Sequence, residues 1–246
     1  MSQIEHALKL RQTSHPFRME DFLQKLVFFR DLSLQTKKEF ESKIQSIPVK
    51  KGERIISEED EARGVFFVQS GVVKLTKQDV DGNEIIVCIK QSGDVFAEAC
   101  LFTNTNPVYP ATATGLNDGM LYFLSRAELE RELYHNPELA LQMIGYMSDQ
   151  LREMTTTLRD VALLDVFSKT VKTLERLGRK FNQNNTRWDI EIPLSTQEFA
   201  TVVGATRESV SRVFGKLKKQ GIIEIKPRKI MIVDSCMLCA LMQKEY

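Results

Sequence analysis

Arg207, Glu208, Ser211 and Arg212 carry the most specific chemistry in this chain. Their spacing lets them share one exposed face at the start of a helix. A guanidinium presents a rigid fork that bonds guanine O6 and N7 together, and a carboxylate accepts from the cytosine amino group. The set therefore suits the edges of base pairs in a major groove. Lys216, Lys218, Lys219, Lys226, Arg228 and Lys229 follow soon after. Cations of this kind bind phosphate oxygens, which positions a protein on a duplex without reading its sequence. The competing reading is a solvated, salt-bridged helix face.

The elements around these residues decide between the two. Ser195 and Glu198 form a capping box, so a first helix should open at Thr196. Phe199, Val202 and Val203 give it an apolar stripe, and Gly204 ends it. Thr206 is the N-cap of a second helix, whose inward face is Val210, Val213, Phe214 and Leu217. Gly221 stops that helix, and two strands, IIEI and KIMIV, flank Lys226 to Arg228. Helix, turn, helix and wing is an architecture that lays its second helix in the major groove. Thr196 and Thr206, at the two helix starts, join the expected DNA-binding set.

Charge is distributed accordingly. The chain holds 34 Lys+Arg against 33 Asp+Glu, which alone indicates no polyanionic partner. Divided at Asp165, residues 1–165 hold 19 basic and 25 acidic residues, whereas residues 166–246 hold 15 and 8. The halves carry −6 and +7, the footprint of a nucleic-acid-binding domain joined to a domain with another task. At 246 residues the chain has room for two domains. No apolar run approaches the ~18 residues that span a membrane, and the polar N-terminus is no secretory signal, so a cytoplasmic protein is expected. Cys88, Cys100, Cys236 and Cys239 are too few for a disulfide scaffold, and His6, His15 and His135 are too scattered for a metal site.

Along the chain, residues 19–29 and 34–45 show helical spacing, and Pro48 marks a break. From Val49 to Leu124 the texture is short β-rich runs punctuated by glycines, with a hairpin turn at Asp81-Gly82-Asn83. Such runs predict a closed barrel or jelly roll. Pro137 then opens a long helix on which Met143, Met147, Leu151, Met154, Leu158 and Val161 recur at three- and four-residue steps. This narrow seam suits a helix pair in a homodimer; the alternative is packing against the chain's own β domain. A further helix, about Val166 to Phe181, leads through the polar loop NQNNTR to the helix-turn-helix. No nucleotide-phosphate loop, kinase lysine context or nucleophile motif is present, so an enzyme is not expected.

This order resembles the CRP/FNR family of bacterial transcription regulators over nearly the whole chain. RESVSR (207–212) is the most specific match, supported by VALLDV (161–166), GVVKL, the Gly82 turn, Gly93-Asp94 and FAEACLF. The resemblance implies an α+β fold. Residues 1–47 would be an N-terminal helical segment, and 48–136 a cyclic-nucleotide-binding-like β-roll. Residues 137–165 would be a dimerisation helix and hinge, and 166–246 a winged helix-turn-helix. It also implies double-stranded DNA and RNA polymerase as partners, and control of anaerobic or arginine-catabolic genes, as an activator. Arg207, Glu208 and Arg212 match the base-reading positions of the cyclic-AMP receptor branch, and Glu208, Ser211 and Arg212 those of the FNR branch. The shared half-site core is TGA, and Arg207 selects TGTGA.

The same resemblance places an effector pocket around Glu98, Tyr109, Thr112 and Thr155, with its identity open. Cyclic-AMP binders carry a Gly-Glu pair, then an Arg-Ser pair that holds the phosphate. Here Ala97 precedes Glu98, Tyr109-Pro110 occupies the second position, and Thr155 retains half of the adenine-contacting pair. A buried phosphate without a charged fork loses its strongest hydrogen bonds, so cyclic AMP is not expected. An iron–sulfur cluster needs about four ligands, usually thiolates, and is not expected either. Cys236 and Cys239 form a CxxC that is half a cluster site, a redox pair, or two small apolar residues packed on a terminal helix, the last being favoured. Cys88 and Cys100 are read as core. Two alternatives stay open: a redox or iron–sulfur regulator using Cys236/Cys239, and a ligand sensor acting by protein contact.

Overall fold

The structure, a computed structural model, describes residues 22, 26, 40–99, 102, 107–182 and 190–243. The chain forms two compact units, Met1–Lys77 with Val87–Arg152, and Gln78–Ile86 with Glu153–Tyr246.

The first unit is built on a β-roll. Strands β1 (Gln45–Val49), β8 (Gly119–Ser125), β3 (Gly64–Ser70) and β6 (Val95–Phe96) form one antiparallel sheet in that order. Strands β2 (Arg54–Ile56), β7 (Thr112–Gly115), β4 (Val72–Gln78) and β5 (Glu84–Gln91) form the other. In β3 and β8 consecutive residues are buried, Val65 to Val68 and Leu121 to Leu124, because both faces of that sheet are covered. The core is aromatic: Phe66 stacks on Phe96 with centroids 5.0 Å apart, and Phe22 meets Tyr122 edge-on at 4.9 Å. Gly64 is required by close approach, since a Cβ there would stand 2.2 Å from the Leu124 carbonyl oxygen.

The expected β-rich runs all form strands, and the Asp81-Gly82-Asn83 turn closes β4–β5, with the Asp79 carboxylate accepting from the Asp81 and Asn83 amides. Two elements of this unit are not expected from the sequence. β1 passes through Pro48, where a break is expected; β1 is an edge strand, where a missing amide is tolerated. Helix α1 (Arg126–His135) is capped by Ser125, whose hydroxyl accepts from the Glu128 amide. It is mostly charged and buries only Leu129 and Glu132, the latter paired with Lys43. The expected helices 19–29 and 34–45 lie partly outside the described residues; the described end of the second is helical only at Phe40 and Glu41 and gives way to β1 at Gln45, and Phe22, Leu26 and Phe40 join the roll core.

Helix α2 (Pro137–Leu163) follows, and its apolar residues divide. Leu139 and Met143 are buried in the roll core and Tyr146 packs against it, whereas Leu151, Met154 and Leu158 are exposed. Met143 therefore leaves the expected seam. Ile144, one residue on, is exposed instead.

In the second unit α3 (Val166–Phe181) buries Val171, Leu174 and Leu177 against the helix-turn-helix. Its N-cap is Asp165, whose carboxylate accepts from the Ser168 amide. α4 (Thr196–Val203), α5 (Arg207–Lys219), β10 (Ile223–Lys226), β11 (Lys229–Ile232) and α6 (Ser235–Gln243) complete it. The wing gains an unexpected strand, β9 (Ile190–Ile192), paired with β11. Most of the NQNNTR loop lies outside the described residues.

Candidate nucleic-acid interface

The capping box at α4 is complete: the Ser195 hydroxyl accepts from the Glu198 amide, and the Glu198 carboxylate accepts from the Ser195 amide. Gly204 ends α4 at φ 67°, ψ 44°, left-handed backbone that favours glycine, so the chain reverses within three residues. Thr206 then caps α5 by accepting from the Ser209 amide. Phe199 and Phe214 meet at 5.1 Å between the two helices. Val210, Val213, Phe214 and Leu217 are buried, which fixes the rotation of α5 about its axis.

With that face inward, Arg207, Glu208, Ser211 and Arg212 are all exposed on the first turns of α5. Lys218 and Lys219 are exposed at its end, and Arg228 at the tip of the wing at φ 61°. Other expected cations have local partners: Lys216 lies 5.9 Å from the Phe167 ring centroid, Lys226 pairs with Glu224, and Lys229 bonds Glu191 at 2.8 Å. Thr196 is half-buried at the start of α4, and the Thr206 hydroxyl is engaged in its cap.

The expected effector residues are not assembled in this way. Tyr109 is a core residue with no exposed surface; its hydroxyl accepts from the Arg63 amide at 3.1 Å and donates to the Gly64 carbonyl at 3.3 Å. The polar end of the ring is used up holding β3, so Tyr109 does not present a wall to a ligand. Thr112 is half-buried, and its hydroxyl accepts from the Glu58 amide. Thr155 is exposed on α2. Glu98 is buried, and burial pushes its carboxyl above the usual range while Lys90 pulls it back. Ala97 sits at φ 68°, the left-handed backbone that favours the glycine of the Gly-Glu pair.

Lys90 is the residue that sequence reading missed. It is buried in β5, with its ammonium 3.5 Å from the Gln150 side-chain oxygen on α2. Burial pulls its proton affinity down, and Cys88, Tyr146, Glu98 and Asp94 more than offset this. The signal lay in alternation along β5, which sets Ile86, Cys88 and Lys90 on one side.

Cys236 and Cys239 are exposed on α6, not packed as expected; Leu238 is the anchor buried between them. The α6 register puts both thiols on the solvent side. Cys88 is only half-buried, and Cys100 lies outside the described residues. Among the described residues no group of His, Cys, Asp and Glu could hold a metal, and no helix is long and apolar enough to cross a membrane.

The cyclic nucleotide-binding domain family matches residues 46–136, and the Crp-like helix-turn-helix domain matches residues 168–241. An anaerobic regulatory protein of Bacillus subtilis is 32% identical over 166 residues, 67% of this chain and 69% of that protein. The chain belongs to the CRP/FNR family of transcription regulators. It is thus a DNA-binding regulator and not an enzyme. A second CRP/FNR relative, the cAMP-activated global regulator Vfr of Pseudomonas aeruginosa, is 28% identical over 72% of this chain and 84% of its own length. The CRP/FNR fold recurs in FixK2 of Bradyrhizobium japonicum, with TM-score 0.71 at 22% identity, covering 80% of this chain and 96% of that one.

Proposed function

We propose that this CRP/FNR regulator binds, as a homodimer, a TGTGA-like palindrome, and that it activates anaerobic or arginine-catabolic genes with RNA polymerase. The observation that carries this reading is the shared exposure of Arg207, Glu208, Ser211 and Arg212 at the start of a helix whose opposite face is buried. Arg207, Glu208, Ser211 and Arg212 address base edges, and Lys218, Lys219 and Arg228 address phosphates. The anaerobic assignment leans on the B. subtilis relative, an anaerobic regulatory protein.

The effector is not cyclic AMP. Vfr is cAMP-activated, but here the phosphate-holding pair is replaced by a core tyrosine and a proline, and Glu98 has Lys90 as its charged neighbour. A second reading, a redox regulator using Cys236 and Cys239, is favoured by the exposure of both thiols. Gel shift of a TGTGA palindrome against a scrambled duplex tests the first reading; equal affinity for both would sink it. Repeating it with oxidant, on wild type and a Cys236→Ser, Cys239→Ser variant, tests the second. Cyclic AMP is expected to change neither duplex affinity nor melting temperature, although a ligand at 100-fold over its Kd adds ~2.7 kcal/mol.

A further inference from the structure

The second unit contains a cleft of about 470 Å³ that DNA reading does not use. That is the size of a small-molecule site. One wall is the face of α2 that carries Glu153, Thr157, Asp160 and Val161. The other is α3, which contributes Lys169, Lys172, Arg176 and Arg179 at steps of three and four residues, a row of cations along one face. The apolar part comes from Val202 and Val203, the last turn of α4, and from Met242 of α6.

Two of the cations are held across the cleft by long pairs, whereas Arg179 pairs closely with Glu175, which also lines the cleft. The Lys172 ammonium lies 3.5 Å from the Asp160 carboxylate, and the Arg176 guanidinium 3.6 Å from that of Glu153. Asp160 is shared with Arg159 at 2.8 Å, and Arg176 also reaches the Thr157 hydroxyl at 3.5 Å. The Arg176–Glu153 pair is long and half-exposed, so it contributes little and a stronger acceptor displaces it; the Lys172–Asp160 pair is equally long but largely buried. A carboxylate or phosphate accepts two parallel bonds from one guanidinium, which neither internal partner achieves here.

We propose that this cleft is a ligand site for a small amphipathic anion, separate from the roll. A carboxylate or phosphate head takes Arg176 and Lys172, and a compact apolar body lies on Val202, Val203 and Met242. The occupant rests on the turn that leads through Gly204 into α5, so binding there changes the support of the recognition helix. This regulatory half rests on the proposed DNA reading, whereas binding itself does not.

The test uses the full chain and 8-anilino-1-naphthalenesulfonate, a fluorescent amphipathic anion, first without DNA. Saturable binding at one site per chain is expected, displaced by hexanoate or by phenyl phosphate according to which head is preferred. Arg176→Gln should weaken it about tenfold, the loss of one charge-assisted bond. Val202→Trp, which fills the floor, should abolish it. Glu153→Gln should tighten it, because Arg176 loses its internal competitor; misfolding would not tighten binding. Binding indifferent to all three variants, or displaced by neither competitor, overturns the site. Affinity for the TGTGA palindrome is then measured with the site filled: a change of about threefold or more is expected, and no change overturns the regulatory half. Failure of the DNA reading appears separately, as equal affinity for palindrome and scrambled duplex.

Discussion

Arg212 and Lys218 are both exposed on α5 but are assigned different work. Arg212→Ala should cost ~1–3 kcal/mol on the palindrome and relax selection at its guanine. Lys218→Ala should weaken all duplexes alike and lower the salt slope by about one. Anisotropy titrations on cognate and scrambled duplexes at several salt concentrations separate the two; an unchanged cognate-to-scrambled ratio for Arg212→Ala would remove it from base reading. Lys90 and Glu98 make a second residue-scale case. Burial raises the Glu98 pKa, so the folded state holds its proton more tightly than the unfolded chain, and the ionised carboxylate depends on Lys90 as pH rises. Lys90→Met should therefore destabilise the fold, and increasingly so as pH rises and Glu98 ionises. Adding Glu98→Gln should remove most of that pH dependence, read from urea midpoints. The exposed face of α5 was legible because caps and apolar spacing fix the rotation of a short helix from sequence alone. Tyr109 was not, because alignment to a ligand-binding position says nothing of where a ring points once a long-range sheet encloses it.

α3 depends on its first turn. Hydrogen bonds from the Ser168 amide and hydroxyl hold the Asp165 carboxyl below the usual range. Its capping contribution is thus fully present above the unfolded carboxylate pKa of about 4, and is lost as pH falls through the lower folded value. Asp165→Ala should cost ~1 kcal/mol at pH 7, and wild type and variant should converge at the acid end. Urea unfolding at pH 7 and at successive steps below the unfolded carboxylate value measures this; a gap that does not narrow as pH falls would mean the cap does not act through its charge. Elements with strong local signatures were readable: the Thr206 cap, the Ser195 box, the Gly82 turn. β1, α1 and β9 were not, and each for a physical reason. β1 contains a proline that only edge position excuses, α1 buries one leucine and a paired glutamate, and β9 is three residues whose partner is β11, far along the chain.

At the scale of the whole molecule, the proposed homodimer on a palindrome turns on α2. Its 27 residues span about 40 Å. Ile144, Leu151 and Leu158 recur every seven residues, and Met147, Met154 and Val161 repeat the step three residues on, the two positions of a coiled-coil seam. Leu151 is 65% and Leu158 68% exposed in the single chain. Met143 does not belong to that row: it is buried in the roll. The two methionine and leucine positions therefore make opposite predictions. Leu158→Asp would set two like charges against each other across the symmetry axis, costing about 4 kcal/mol of association, roughly 1,000-fold in dimer Kd. The single chain should keep its circular dichroism, since Leu158 is largely exposed within it. Met143→Ala should instead lower folding stability by ~2–5 kcal/mol and leave the dimer Kd where it was. Sedimentation equilibrium reads association and urea unfolding reads stability. A Leu158→Asp chain that still sediments as an undiminished dimer would take the seam, and with it the symmetric placement of two α5 helices on a palindrome, out of the mechanism.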